Sequence, residues 1–195
     1  ELNCENNYSS HFKISHSEFH SFFYKSVEGT QFYLLGNPIL YEDFDSIWDN
    51  IVPAELTNGS KIWYELFRHL NGIAALLIVS ANQVHVITDP LGFFPFYIFH
   101  KVELWSWSTD IKHILSIPGV TFNYDEIAVF NYVHNGHFLE NKTWYHEISR
   151  LPAACIWTLD FISNQMQLKR YWSWNEWKGS KKLMNESMET YYSLL

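Results

Sequence analysis

The chain has 195 residues, with 13 Lys+Arg against 21 Asp+Glu and a formal net charge of −8. Aromatic residues make up 18% and charged residues only 17%, the reverse of a disordered composition, and this length can bury a core in one domain plus a short extension. The acidic balance argues against a duplex-binding protein, which needs a basic face for phosphates.

In chain order, Phe19 to Ser26 and Gln31 to Leu35 are apolar and aromatic around Glu28-Gly29-Thr30, which predicts a β-hairpin. Gly36-Asn37-Pro38 is expected to break the second strand. Asp43 to Asn50 suggests a short helix. Ser60 reads as an N-cap for a helix carrying Ile62, Trp63, Leu66, Phe67 and Leu70, with Asn71-Gly72 as its stop. Strand pairs are expected over Ile73 to Val79 with Gln83 to Thr88, and over Phe94 to Phe99 with Glu103 to Ser108. Asp110 to Leu115 reads as a short helix. Asp125 caps a longer one in which Ile127, Val129, Phe130 and Val133 are expected to face inward, ended by Asn135-Gly136. Ala153 to Leu159 and Gln165 to Trp172 form a last hairpin. From Lys178 the chain turns polar, and Leu183 to Leu195 suggests a further helix. Successive hairpins without β-α-β alternation give an α+β fold, with helices covering antiparallel sheets.

The most apolar run, Ile73 to Val79, is far below the roughly 20 residues a bilayer helix needs. The N-terminus, with Glu1 and Glu5, lacks the basic start and apolar stretch of a signal peptide. Cys4 and Cys155 are too few for a disulfide framework, so a reduced, cytoplasmic setting is expected. His16 with His20 and His134 with His137 have ligand-compatible spacings, but no nearby Cys, Asp or Glu completes a four-ligand set. No metal is therefore expected, and these side chains are read as solvated or hydrogen-bonded. No phosphate loop, dinucleotide fingerprint or Gly-x-Ser-x-Gly elbow occurs. Cys155, between Ala154 and Ile156, reads as a small buried hydrophobe. The most distinctive segment is Asp89-Pro90-Leu91-Gly92-Phe93-Phe94-Pro95-Phe96-Tyr97. Its direct role is read as a tight structural connection held by the Asp, with Pro95 setting an extended entry to the next strand.

In their order, these motifs resemble the N-terminal glutaminase-like domain of the asparagine synthetase family, a class II glutamine amidotransferase. Leu70-Asn71-Gly72-Ile73-Ala74-Ala75 resembles that family's L-N-G-x-F-A entry, and the Asp89 to Tyr97 segment its D-R-F-G-x-x-P-L-Y-Y hairpin. Ser108 to Leu115 is similar to S-E-I-K-A-L-L. Arg150-Leu151-Pro152-Ala153, Thr158-Leu159-Asp160 and Arg170-Tyr171-Trp172 resemble the R-L-P-P-G, L-D and R-Y-W ending. The likeness runs over roughly residues 35–175 and extends to the N-terminal domains of β-lactam synthetases and lasso-peptide cyclases. It implies an Ntn-hydrolase-like four-layer αββα sandwich of two antiparallel sheets. It also implies a glutaminase-like domain over residues 1–177, and over 178–195 a linker and the first helix of an ATP-dependent synthetase domain. ATP and Mg would belong to that synthetase domain, and no cofactor is expected in this chain. The expected partner is the synthetase domain or a separate synthetase subunit, with an amino acid or peptide as possible substrate, and no nucleic acid or membrane.

The resemblance also locates departures. Family glutaminases attack the glutamine amide with a processed N-terminal Cys whose free amine serves as base. Position 1 here is Glu, and Cys4, the nearest thiol, would need cleavage just before it. Leu35-Gly36-Asn37 occupies the place of the oxyanion segment N-G-E. Gly36 is kept, but Leu35 replaces the Asn donor, and losing one such donor costs about 3 kcal/mol of barrier. In the G-S-D segment that holds the substrate ammonium, Gly59 and Ser60 are kept, but Lys61 replaces the Asp and would repel that group. The recognition Arg has no clear match. The expectation is therefore a degenerate domain that braces or shapes a ligase. Two alternatives are an altered glutaminase using Cys4, and a small-molecule or peptide-binding module in which Lys61 holds an anion. The C-terminal aromatics Trp172, Trp174, Trp177, Tyr191 and Tyr192 are expected to form an exposed interface.

Overall fold

The computed structural model describes residues 22–27, 29–40, 70–101 and 104–173. Strands β1 (Phe22–Val27) and β2 (Thr30–Leu40) form the first hairpin, closed between Val27 and Thr30 with Gly29 at φ +81°. Strands β3 (Leu70–Val79) and β4 (Gln83–Thr88) form the next, turned by the Ser80 N–H donating to the Gln83 carbonyl at 2.9 Å. Strands β5 (Tyr97–Lys101) and β6 (Leu104–Ser108) follow. After helices α1 (Ile111–Leu115) and α2 (Glu126–Asn135) come β7 (Ile148–Arg150), β8 (Cys155–Asp160) and β9 (Gln165–Arg170). A six-stranded sheet has the order β1-β2-β3-β4-β8-β9, and a three-stranded sheet the order β6-β5-β7. Every pairing is antiparallel.

The period-2 alternation of strands decides the layering. From the large sheet, Tyr33, Ala75, Leu77, Val84, Val86, Trp157 and Leu159 point inward. From the facing side, Phe96, Ile98, Trp105 and Trp107 join them in one apolar cluster. The other face of β3 is also buried, at Ala74, Leu76 and Ile78. That is why Ile73 to Val79 reads as an unbroken apolar run: a strand covered on both faces gains about 1.5–3 kcal/mol per buried aliphatic on each. On the far side of the small sheet, Phe99, Ile114 and Ile148 form a second cluster with Ile111, Leu115 and Phe122, which seats α1. Large sheet, small sheet and helix therefore stack as layers of the expected α+β sandwich.

Four readings are corrected. The strand predicted to break at Gly36-Asn37-Pro38 continues as β2 to Leu40, because Gly36 absorbs the irregularity at φ +107°. Leu70, read as the end of a helix, and Asn71-Gly72, read as its stop, are the start of β3. The inward face predicted for α2 is largely wrong. Ile127, Phe130 and Val133 are 75%, 69% and 76% exposed, and Ala128 is the buried residue. The helix seats instead through Tyr132, whose ring lies 4.7 Å from that of Phe138 and 4.6 Å from that of Trp144. Its caps are as expected: Asp125 accepts from the Ala128 N–H at 3.0 Å, and Gly136 ends it at φ +76°. Trp172, placed at an exposed interface by the sequence, is buried within the domain. Trp174, Trp177, Tyr191, Tyr192 and the helices expected near 43–50, 60–70 and 183–195 lie outside the described residues.

Candidate functional site

Of the residues the sequence points to, Gly36 and Asn37 lie within the described structure. Cys4, Gly59, Ser60 and Lys61 lie outside it. Gly36 pairs with Ala74 across β2 and β3. A Cβ at Gly36 would strike the Ile73 carbonyl oxygen and stand 3.0 Å from the ring of Phe94. With the left-handed φ, those contacts leave room for glycine alone. Leu35, one residue before, packs against the core shared by the two sheets, and Asn37, one residue after, is exposed.

Phe94 is set against Gly36 by the loop after β4. The Asp89 carboxylate is 4% exposed and accepts three backbone N–H groups: Leu91 and Phe93 at 3.0 Å on Oδ1, and Phe94 at 2.9 Å on Oδ2. The Asp89 carbonyl accepts the Gly92 N–H at 3.1 Å and the Ala154 N–H at 2.9 Å. Gly92, at φ +66°, passes so close to Ala153 that a Cβ would lie 2.9 Å from the alanine methyl. The Arg150 guanidinium donates to the Gly92 carbonyl. Thr88 Oγ1 donates to the Pro152 carbonyl at 2.7 Å and accepts the Cys155 N–H at 3.1 Å. The Tyr171 hydroxyl donates to the Thr88 carbonyl at 2.6 Å. Burial, then the nearby Asp89 charge, push the Tyr171 hydroxyl far above its ordinary pKa, so it stays a donor at any physiological pH.

These bonds join the strand behind Gly36 to the loop between β7 and β8 and to the residue after β9. Sequence reasoning finds Asp89 as the anchor of the turn. It misses the Arg150 and Tyr171 ties, which span 58 and 83 positions and leave no local pattern. The thiol of Cys155 is buried and pushed upward by that burial, which keeps it protonated and unreactive. Away from this region, the His85 ring nitrogen Nδ1 lies 2.9 Å from Thr158 Oγ1, and burial lowers its pKa, favouring the neutral ring. Of the histidine pair singled out near α2, His134 stacks on Phe130 and His137 meets the Asn135 carbonyl at 3.0 Å. The pair His16 and His20 lies outside the described residues. What the described arrangement does is mechanical: it holds the backbone at Gly36 rigid and fills the space behind it with Phe94.

An antiparallel two-sheet sandwich with this braced turn defines a class of domain. The family model for the glutamine amidotransferase domain matches residues 56–172. That is more than half of the chain, and the chain belongs to this family. The matched stretch includes Gly59, Ser60, Lys61 and the whole Asp89 loop, and starts after Cys4, Gly36 and Asn37. The chain's described residues form two stacked antiparallel sheets with a helix against the smaller one, in keeping with the α+β sandwich expected. Among solved structures, the chain is similar to glutamine phosphoribosylpyrophosphate amidotransferase from B. subtilis complexed with ADP and GMP. The identity is 12% and the TM-score 0.41, covering 78% of this chain and 31% of that one. It is also similar to an allosteric regulatory enzyme of purine biosynthesis, at 13% identity and a TM-score of 0.37, covering 78% and 30%. The chain thus spans less than a third of the length of either. No curated protein matches it. Among the described residues, no helix is long and apolar enough to cross a membrane.

Proposed function

We propose that this glutamine amidotransferase domain is the N-terminal part of an asparagine-synthetase-type, ATP-dependent amide-forming ligase, that it lacks glutaminase activity, and that it serves as a bracing module for the synthetase part. The observation that carries the loss of activity is Leu35. It stands where the oxyanion donor is expected, and its side chain packs into the inter-sheet core. An alkyl group offers no hydrogen bond to a developing oxyanion, which removes about 3 kcal/mol of transition-state stabilisation. Lys61 in place of the ammonium-binding Asp points the same way. The bracing role draws support from the bonds around Asp89, which keep the scaffold rigid without a working nucleophile. ATP and Mg2+ are assigned to the synthetase part and to no residue of this chain. The expected partner is that synthetase domain or subunit.

The test is direct. The chain is incubated with glutamine, and glutamate and ammonia are followed. No release above the uncatalysed background is expected, with or without cleavage before Cys4. Release that is abolished by Cys4→Ala would overturn the reading and install Cys4 as nucleophile.

A further inference from the structure

The loop between β7 and β8 carries a strained residue inside the braced region. Ala154 is buried, yet its φ is +54°, a left-handed conformation that a Cβ disfavours. The other non-glycine residues with positive φ among those described, Glu140 and Asn164, lie in exposed turns. Ala154 is held in this state from two sides. Its N–H donates to the Asp89 carbonyl at 2.9 Å, and its carbonyl accepts the Tyr171 N–H at 2.9 Å. Tyr171, the first residue after β9, also donates its hydroxyl to the Thr88 carbonyl at 2.6 Å. One buried residue thus grips both the strained turn and the strand end that leads into Asp89.

The line of contacts runs on to Gly36. The Asp89 carboxylate accepts the buried Phe94 N–H at 2.9 Å, and the Phe94 ring packs on Gly36 closely enough to exclude a side chain there. A residue kept in a disfavoured conformation persists only while its neighbours constrain it, and it marks a place where two states compete. We infer that Tyr171 and Ala154 form a conformational latch, through which the end of β9 sets the packing of Phe94 behind Gly36. While Tyr171 grips, Ala154 stays left-handed and the Asp89 loop stays closed. When Tyr171 lets go, Ala154 relaxes to extended backbone, its N–H leaves the Asp89 carbonyl, and the loop that carries Phe94 loosens. Release at the end of β9 is thereby felt at the Leu35–Asn37 segment of β2. The inference rests on these hydrogen bonds and the strain at Ala154, and is independent of the ligase reading.

Amide hydrogen exchange of the full chain, read residue by residue by NMR, tests it. In the parent, the Leu91, Phe93, Phe94 and Ala154 amides are expected to exchange through one shared opening, faster than the amides at the centre of β3. Tyr171→Phe removes the hydroxyl bond alone. It should speed all four by about tenfold, the factor for one hydrogen bond, while Ala128 and Val129 at the start of α2 keep their rates. Ala154→Gly relieves the strain and should slow the four by about fivefold, in the parent and in Tyr171→Phe alike. Because this second variant favours the closed state, it gives an answer even where Tyr171→Phe fails to fold. A Phe94 rate unmoved by Tyr171→Phe overturns the inference, as does exchange at the four amides that is indifferent to Ala154→Gly. Opening of the four only together with β3 in the parent also overturns it. So does equal acceleration in α2, which would make the hydroxyl a contributor to the whole fold and not a latch.

Discussion

Removing the Asp89 carboxylate is the sharpest perturbation of the braced region. Asp89→Ala deletes three backbone-to-carboxylate bonds, from Leu91, Phe93 and Phe94. A hydrogen bond to a charged acceptor is worth about 1.5–3 kcal/mol, but the three share one carboxylate and are not additive. The Phe94 N–H is buried, so it bears a full desolvation cost, while the Leu91 and Phe93 groups are partly open and can turn to water. The expected loss is therefore about 3–5 kcal/mol rather than the sum of three full bonds. Asp89→Asn separates the contributions. One amide oxygen can still serve Leu91 and Phe93, but an NH2 then faces the Phe94 N–H, donor against donor, and the loss should be about 2 kcal/mol. Urea unfolding of the full chain, with the slope checked for constancy, measures both. If Asp89→Ala costs less than about 1 kcal/mol, the loop is not what fixes Phe94 behind Gly36, and the bracing account fails.

Other expectations follow from the same contacts. Gly36→Ala should cost about 3 kcal/mol or more, since the methyl meets backbone at the Ile73 carbonyl and the φ is left-handed; a melting curve near the parent's would refute the close approach. Trp157 Nε1 is buried with no hydrogen-bond partner among the described residues. Trp157→Phe therefore sheds an orphan donor while opening a small cavity, and chemical denaturation should show a net cost of about 1 kcal/mol or less, against about 3–5 for an ordinary core Trp truncation. Asp160 is held down to about 2 by the Ser163 N–H and the Gln83 amide, and Asp125 is lowered by the Ala128 N–H and Lys142. Both native pKa values lie below the unfolded ones. Their stabilisation is thus complete above about pH 4 and fades as pH falls toward the native pKa, so melting temperature should drop on acidification, less steeply in Asp160→Asn.

Much of the fold is legible because strands announce themselves by local chemistry. The β3 run, the turn at Ser80 to Gln83, the two caps of α2 and the final hairpin are short-range signals, and all are found. The misses share a physical cause. The α2 stripe carries the same periodicity whether it meets the domain's own core or another surface, and only tertiary placement separates the two. Pro38 after Gly36 looks like a break because the tolerance of one left-handed glycine within a strand is set by the neighbours it touches, Ile73 and Phe94. Tyr171 and Arg150 act on residues far away in sequence, so no window around either could reveal them.

The resemblance and the chemistry therefore rest on different residues, which decides how far a family match reaches. The motifs that carry the likeness, Asp89 to Tyr97, Arg150 to Ala153 and Arg170 to Trp172, are the ones joined by the hydrogen bonds behind Gly36. They specify a scaffold, and a chain under selection to keep that scaffold keeps them whether or not it turns over glutamine. Catalysis would depend instead on Cys4, Leu35 and Lys61, of which Leu35 is described and packs against the inter-sheet core, apart from the bonds around Asp89. Restoring Asn at position 35, with Asp at 61, should cost about 1–3 kcal/mol of stability, because an amide then replaces an alkyl group packed against the inter-sheet core. Glutaminase activity should stay absent in that double variant until a free N-terminal thiol is also supplied. Activity appearing without one would mean that the nucleophile lies elsewhere in the chain.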